Sequence, residues 1–106
     1  MVKAKHDLNR HGVRWPIYID VQRDKRLGNL MIYLYTDIEG EMEFLSALTA
    51  KADRYLPEDQ AYVNVDANGV VILDWIKDNE LGELIWFDST GEFPHPLYRF
   101  YLEKLK

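Results

Sequence analysis

The sequence predicts an α+β fold: a mainly antiparallel sheet of five or six strands with one helix, about residues 69–80, packed on one face. Two observations predict it. Apolar residues alternate with a period of two in several short runs separated by turn-forming residues, and only one stretch switches to a period near 3.6. Consecutive strands joined by hairpin-like turns argue against a parallel doubly wound sheet. At 106 residues, of which 47% are hydrophobic and 13% aromatic, the chain fits a single domain with its own core.

Residues 1–11 lack apolar periodicity and carry Lys3, Lys5, His6, Arg10 and His11, which reads as a mobile basic arm. From Trp15 to Val21, Trp15, Ile17, Ile19 and Val21 alternate with Pro16, Tyr18 and Asp20, the pattern of a half-buried strand. Pro16 cannot donate to a ladder, so this strand starts there or lies at an edge. After the turn residues 24–29, Leu30 to Thr36 places Leu30, Ile32 and Leu34 on one face and Met31, Tyr33 and Tyr35 on the other. The short Gly-containing link 37–41 predicts a hairpin with Met42–Ala50. Residues 51–60 form a polar loop, and Ala61–Asp66 alternates again as a fourth strand.

The helix rests on Val71, Ile72, Trp75, Ile76 and Asn79 at helical spacing, with Asp66 or Asn68 as N-cap and Gly82 just past its end. Ile72, Trp75 and Ile76 form its buried face. Leu84–Phe87 reads as a short fifth strand. Beyond Pro94 and Pro96, Tyr98, Phe100 and Leu102 alternate with Arg99, Tyr101 and Glu103; the aromatics favour a strand over a helix there.

Cysteine is absent, which excludes disulfides, thiolate metal sites and cysteine nucleophiles. The polar start of the chain, and the lack of any apolar run near the ~18 residues of a membrane span, predict a cytoplasmic protein with no membrane association. No phosphate loop, nucleophile elbow or paired-histidine spacing occurs, so no enzyme activity, cofactor or metal is expected. His95, held between two prolines, reads as a loop histidine rather than a base or ligand, and Asp20 and Asp66 have no sequence reason to meet.

Charge is divided unevenly. Residues 1–26 carry seven Lys or Arg against three Asp, and residues 27–106 carry six Lys or Arg against fifteen Asp or Glu. Asp37, Glu39, Glu41 and Glu43 cluster at the predicted hairpin, and Asp53, Glu58 and Asp59 follow in the next loop. Together they could present a row of carboxylates imitating a phosphate strand and attract a basic nucleic-acid-binding protein. Acidic runs also simply keep small domains soluble. A second partner reading uses Tyr18, Tyr33, Tyr35 and Tyr62 as an aromatic face able to stack single-stranded bases beside the basic arm. Carboxylates on the same strands, where that chemistry needs cations, make it the weaker alternative.

Three stretches resemble a small family of unknown function carried on bacterial conjugative and other mobile elements. They are Leu30–Leu34 through the hairpin to Leu45–Thr49, Ala61–Asn68, and Pro96–Leu105. Gly91–Pro96 departs from the family's pattern before the last stretch. The resemblance implies an accessory role in mobile-element biology, including interference with host defence, and carries over no catalytic residue.

Overall fold

In a computed structural model that describes residues 1–106, the strands run from two to nine residues and most end at a glycine, proline or polar turn. The first three are β1 (Val2–Lys3), β2 (Leu8–Arg10) and β3 (Val13–Trp15). β2 and β3 form a two-stranded ribbon closed by His11 and Gly12, both with positive φ, the conformation a tight two-residue hairpin requires. Pro16 then ends the ribbon, and β4 (Tyr18–Arg23) begins two residues later.

β4 pairs antiparallel with β5 (Leu30–Ile38), and β5 with β6 (Glu41–Ala47), around a turn whose central residues Glu39 and Gly40 also have positive φ. The expected hairpin is therefore present, with a two-residue tip. β1 adds to the other side of β4, giving a sheet ordered β1-β4-β5-β6. Its inner face consists of Ile19, Leu30, Ile32, Leu34 and Thr36, all buried.

The expected run Met42–Ala50 is not one strand. Fully buried Leu48 donates its N–H to Ile32 O at 2.8 Å and accepts Asn64 N at 2.8 Å, so the chain steps there from one sheet to another. The second sheet takes β7 (Thr49–Ala50), β8 (Gln60–Val63), β9 (Gly82–Trp86) and β10 (Leu97–Phe100) in the order β7-β8-β10-β9. Antiparallel sheets dominate the α+β fold as expected, but the single sheet of five or six strands is corrected to two sheets of four and a ribbon.

The helical stretch divides at Gly69, whose φ is +74°. α1 (Val65–Asn68) is one turn capped by Asn64, whose side chain accepts Ala67 N, and not by Asp66 or Asn68. Asn68 is buried instead, and its amide joins Ser46, Ala47 and Asn64. α2 (Val71–Asp78) has no side-chain cap and ends at Asn79. As expected it buries Ile72, Trp75 and Ile76, in a core shared with both sheets that includes Leu8, Ile32, Leu48, Val63 and Phe100. β10 stops at Phe100, and Leu102–Lys104 turns as a short 3₁₀ helix, so only the first half of the expected last strand is extended.

The first eleven residues differ from the expected mobile arm. Val2 pairs with Ile19, Ala4 N donates to Ile17 O, and Leu8 is buried. His6 bridges to the end of α2: its N–H donates to Asn79 Oδ1 at 2.8 Å, and its carbonyl accepts Trp75 Nε1 at 3.0 Å. The segments are too short to show a period.

Candidate functional site

Alternation along β4 and β5 places Tyr18 directly opposite Tyr35 and Asp20 opposite Tyr33 on the face of the first sheet turned away from the core. β6 then contributes Phe44, opposite Tyr35. The Phe44 ring lies 5.7 Å from Tyr35 at 74° and 6.2 Å from Tyr33 at 58°, in the edge-on and tilted arrangements aromatic quadrupoles favour. Lys3 on β1 holds its ammonium 5.9 Å from the Tyr18 ring centroid. Met31 and Met42 extend the surface at its ends. Phe44 and Met42 are exposed there, and Tyr18, Tyr33 and Tyr35 are half-buried.

Three of the four predicted tyrosines thus share a face. Tyr62 does not: it is buried on β8, where Arg54 Nη2 donates to its hydroxyl and Phe93 packs edge-on at 5.0 Å. Phe44 belongs to the face but has no place in the predicted tyrosine set. It stands in unbroken hairpin register with Tyr35, and a bulge at Leu45, beyond it, lets Ala47 join the same face three residues later.

The acidic residues separate. Asp37 lies on the aromatic face, its Oδ1 accepting Gly40 N at 2.8 Å, and Glu39 sits in the turn. Glu41 and Glu43, opposite Ile38 and Thr36, project to the other side of the sheet. Asp53, Glu58 and Asp59 lie near the other end of β5, roughly 25 Å away at ~3.3 Å per residue. There Asn29 accepts Leu56 N and donates to Arg54 O, and Arg23 donates to Glu58 O. Lys25 and Lys51 border the same end of the aromatic face, beside Met31 and Tyr33. The continuous carboxylate row does not form; the face has an acidic hairpin at one end and mixed, cation-bearing loops at the other.

The remaining titratable candidates stay apart. Asp20 accepts Gln22 Nε2 on the open face, whereas Asp66 in α1 stands 3.8 Å from His95 Nε2. His95 Nδ1 is buried without a hydrogen-bond partner, and Phe93 meets its ring edge-on at 5.6 Å. No group of three or more His, Asp or Glu side chains is placed to hold a metal ion. No helix is long and apolar enough to cross a membrane.

A second apolar region lies beside β9. A cavity of about 280 Å³ opens between α2, β9 and the loop before β10, lined by Val70, Leu73, Leu84, Phe87 and Phe93 among others. Asp88 organises that loop: its carboxylate accepts the Thr90 hydroxyl at 2.6 Å and the amides of Phe93 and Thr90, each at 2.9 Å. The Thr90 hydroxyl, then these two amides, hold its pKa below the usual carboxylate value.

These features define a small α+β protein with an aromatic cluster on one sheet face. The chain belongs to the family described as Domain of unknown function (DUF4313), whose model matches residues 18–106, from β4 to the C-terminal turn. β1, β2 and β3 lie outside the matched span. No curated protein and no solved structure matches the chain.

Proposed function

We propose that this chain is a non-enzymatic accessory protein that binds another protein through the face of Tyr18, Tyr33, Tyr35 and Phe44, with the acidic hairpin as its charged rim. The supporting observation is the mutual packing of Tyr33, Tyr35 and an exposed Phe44 on the face of the first sheet turned away from the core. Rings held rigid by one another lose little side-chain entropy on association, and Tyr and Phe are enriched in interface cores. Asp37 and Glu39 at one end would guide a basic partner, such as a nucleic-acid-binding enzyme, into register. The mobile-element setting, with inhibition of a host nucleic-acid enzyme or defence system as its outcome, rests on the sequence resemblance alone.

The immobilised chain should retain a basic nucleic-acid-binding protein from host lysate. Y35A/F44A should abolish that retention, while D37N/E39K should weaken it chiefly at low salt. Equal retention by wild type and Y35A/F44A would remove the reading.

A nucleic-acid-binding function on the same face is the second reading. It draws on the shared position of Tyr18, Tyr33 and Tyr35 and on Lys3, Lys25 and Lys51 at the borders. Asp20 and Asp37 on that face oppose it. A low-salt gel shift with single-stranded DNA or RNA, lost in Y33A/Y35A, would favour it over protein binding.

A further inference from the structure

β9 ends its sheet, so one side of its backbone has no strand partner. Natural edge strands of this kind are blunted by charge, proline, a bulge or a covering element; β9 carries a bulge at Ile85, where its ladder with β10 shifts register. Here Leu84, Ile85, Trp86 and Phe87 follow one another without a charge, and all four are exposed. Trp86 pairs with Leu97 and Leu84 with Tyr98, so the apolar side chains stand on both faces of the edge. Val70 and Phe93 continue the strip across the mouth of the adjoining cavity.

We propose that this edge joins two copies of the chain, β9 pairing antiparallel with β9 across a two-fold axis. The area is sufficient. The six side chains are between 42% and 75% exposed. At roughly 150–250 Å² per large side chain they offer roughly 600 Å² per copy, and the two copies together reach the lower bound of a standard interface, ~1,200 Å². A short added peptide strand would satisfy the edge amides but leave Val70 and Phe93 bare. A second copy brings an apolar strip of the same length, as an isologous contact requires.

Charge is also compatible with self-pairing. Glu83 is held on its own subunit by Arg99 and Tyr101, and Asp88 is turned into its own loop. A two-fold centred on Ile85 sets Glu83 opposite Phe87, not opposite its own copy, and brings the two Ile85 residues face to face. The net charge of −5 on each copy opposes approach at long range. Added salt should therefore tighten this association, the reverse of its expected effect on the acidic-rim contact.

Sedimentation of the full chain up to about 100 μM covers the weak end of affinities that such areas give. The wild type should reach twice its 12.5 kDa mass, more readily at high salt, and I85K/W86K should remain at 12.5 kDa. A wild type monomeric throughout, or a dimer that survives in I85K/W86K, overturns the proposal. Because the chain has no cysteine, I85C offers an independent readout. Cα atoms across an antiparallel pair lie ~4.5–5.5 Å apart, within disulfide reach, so mild oxidation should cross-link I85C and leave M42C, on the distant hairpin, monomeric. Equal cross-linking of the two variants also overturns it.

Discussion

Phe44 meets Tyr35 edge-on, with ring centroids 5.7 Å apart, although it stands on a bulged strand and remains 56% exposed. A contact of this geometry contributes about 0.5–1.5 kcal/mol beyond burial. Phe44→Ala should therefore lower the unfolding free energy by only about 1 kcal/mol. Its effect on partner retention should be larger, at least the ~2 kcal/mol of an interface hot spot. Chemical denaturation and a binding titration on the same variant separate the two; comparable losses would make Phe44 a structural residue alone.

Asn79 ties the N-terminal strands to α2. It accepts His6 N through Oδ1 and donates through Nδ2 to Trp75 O, from a position only 6% exposed. Asn79→Ala leaves the partly buried His6 N–H without its acceptor, a loss of about 1–3 kcal/mol. Hydrogen exchange should rise first at residues 2–8, because β1 and β2 are attached by few other bonds. A uniform rise across both sheets would show that Asn79 supports the global fold instead.

Long alternating runs were legible in the sequence and short ones were not. Leu30–Thr36 announces β5 because Ile32 and Leu34 sit at the sheet interior with tyrosines between them. Leu8 and Ala4 are buried too, but strands of two or three residues hold too few positions to display a period. The division into two sheets was hidden for a different reason: Leu48 continues the apolar pattern while its backbone changes partners. Three tyrosines share one face because β4 and β5 keep strict alternation; Phe44 keeps the same alternation across the hairpin, opposite Tyr35, but lies outside a set drawn from tyrosines alone. The carboxylates were assigned to one row because closeness in sequence does not report the length of β5, which separates them.

Gly82 was expected to end a helix, yet its need for glycine comes from the neighbouring strand. A Cβ at this position would lie 2.6 Å from Arg99 O, a backbone atom that cannot rotate away. Gly82→Ala should force β9 from β10 and cost about 1–3 kcal/mol, the range for overpacking. Thermal denaturation should register the loss. An Ala variant as stable as wild type would mean that the two strands separate at this point without penalty.

Asp88 makes the loop walling the β9 cavity sensitive to acid. Its ordinary value is 3.8, and the Thr90 hydroxyl with the Phe93 and Thr90 amides lowers it in the folded chain. A depressed carboxyl contributes stability that is present above about 3.8 and lost as pH falls through the lower folded value, because the unfolded chain takes up the proton first. Between about pH 6 and pH 5 the loop should not change, since the carboxylate is ionised in both states. Only as pH falls below 3.8, through the lowered folded value, should the Phe93 amide shift and exchange faster as its acceptor is protonated. Asp88→Asn keeps one acceptor oxygen but no titration, so it should flatten this response while weakening the loop at neutral pH. Identical acid profiles for wild type and Asp88→Asn, followed by NMR at Phe93, would place the acid sensitivity in another group.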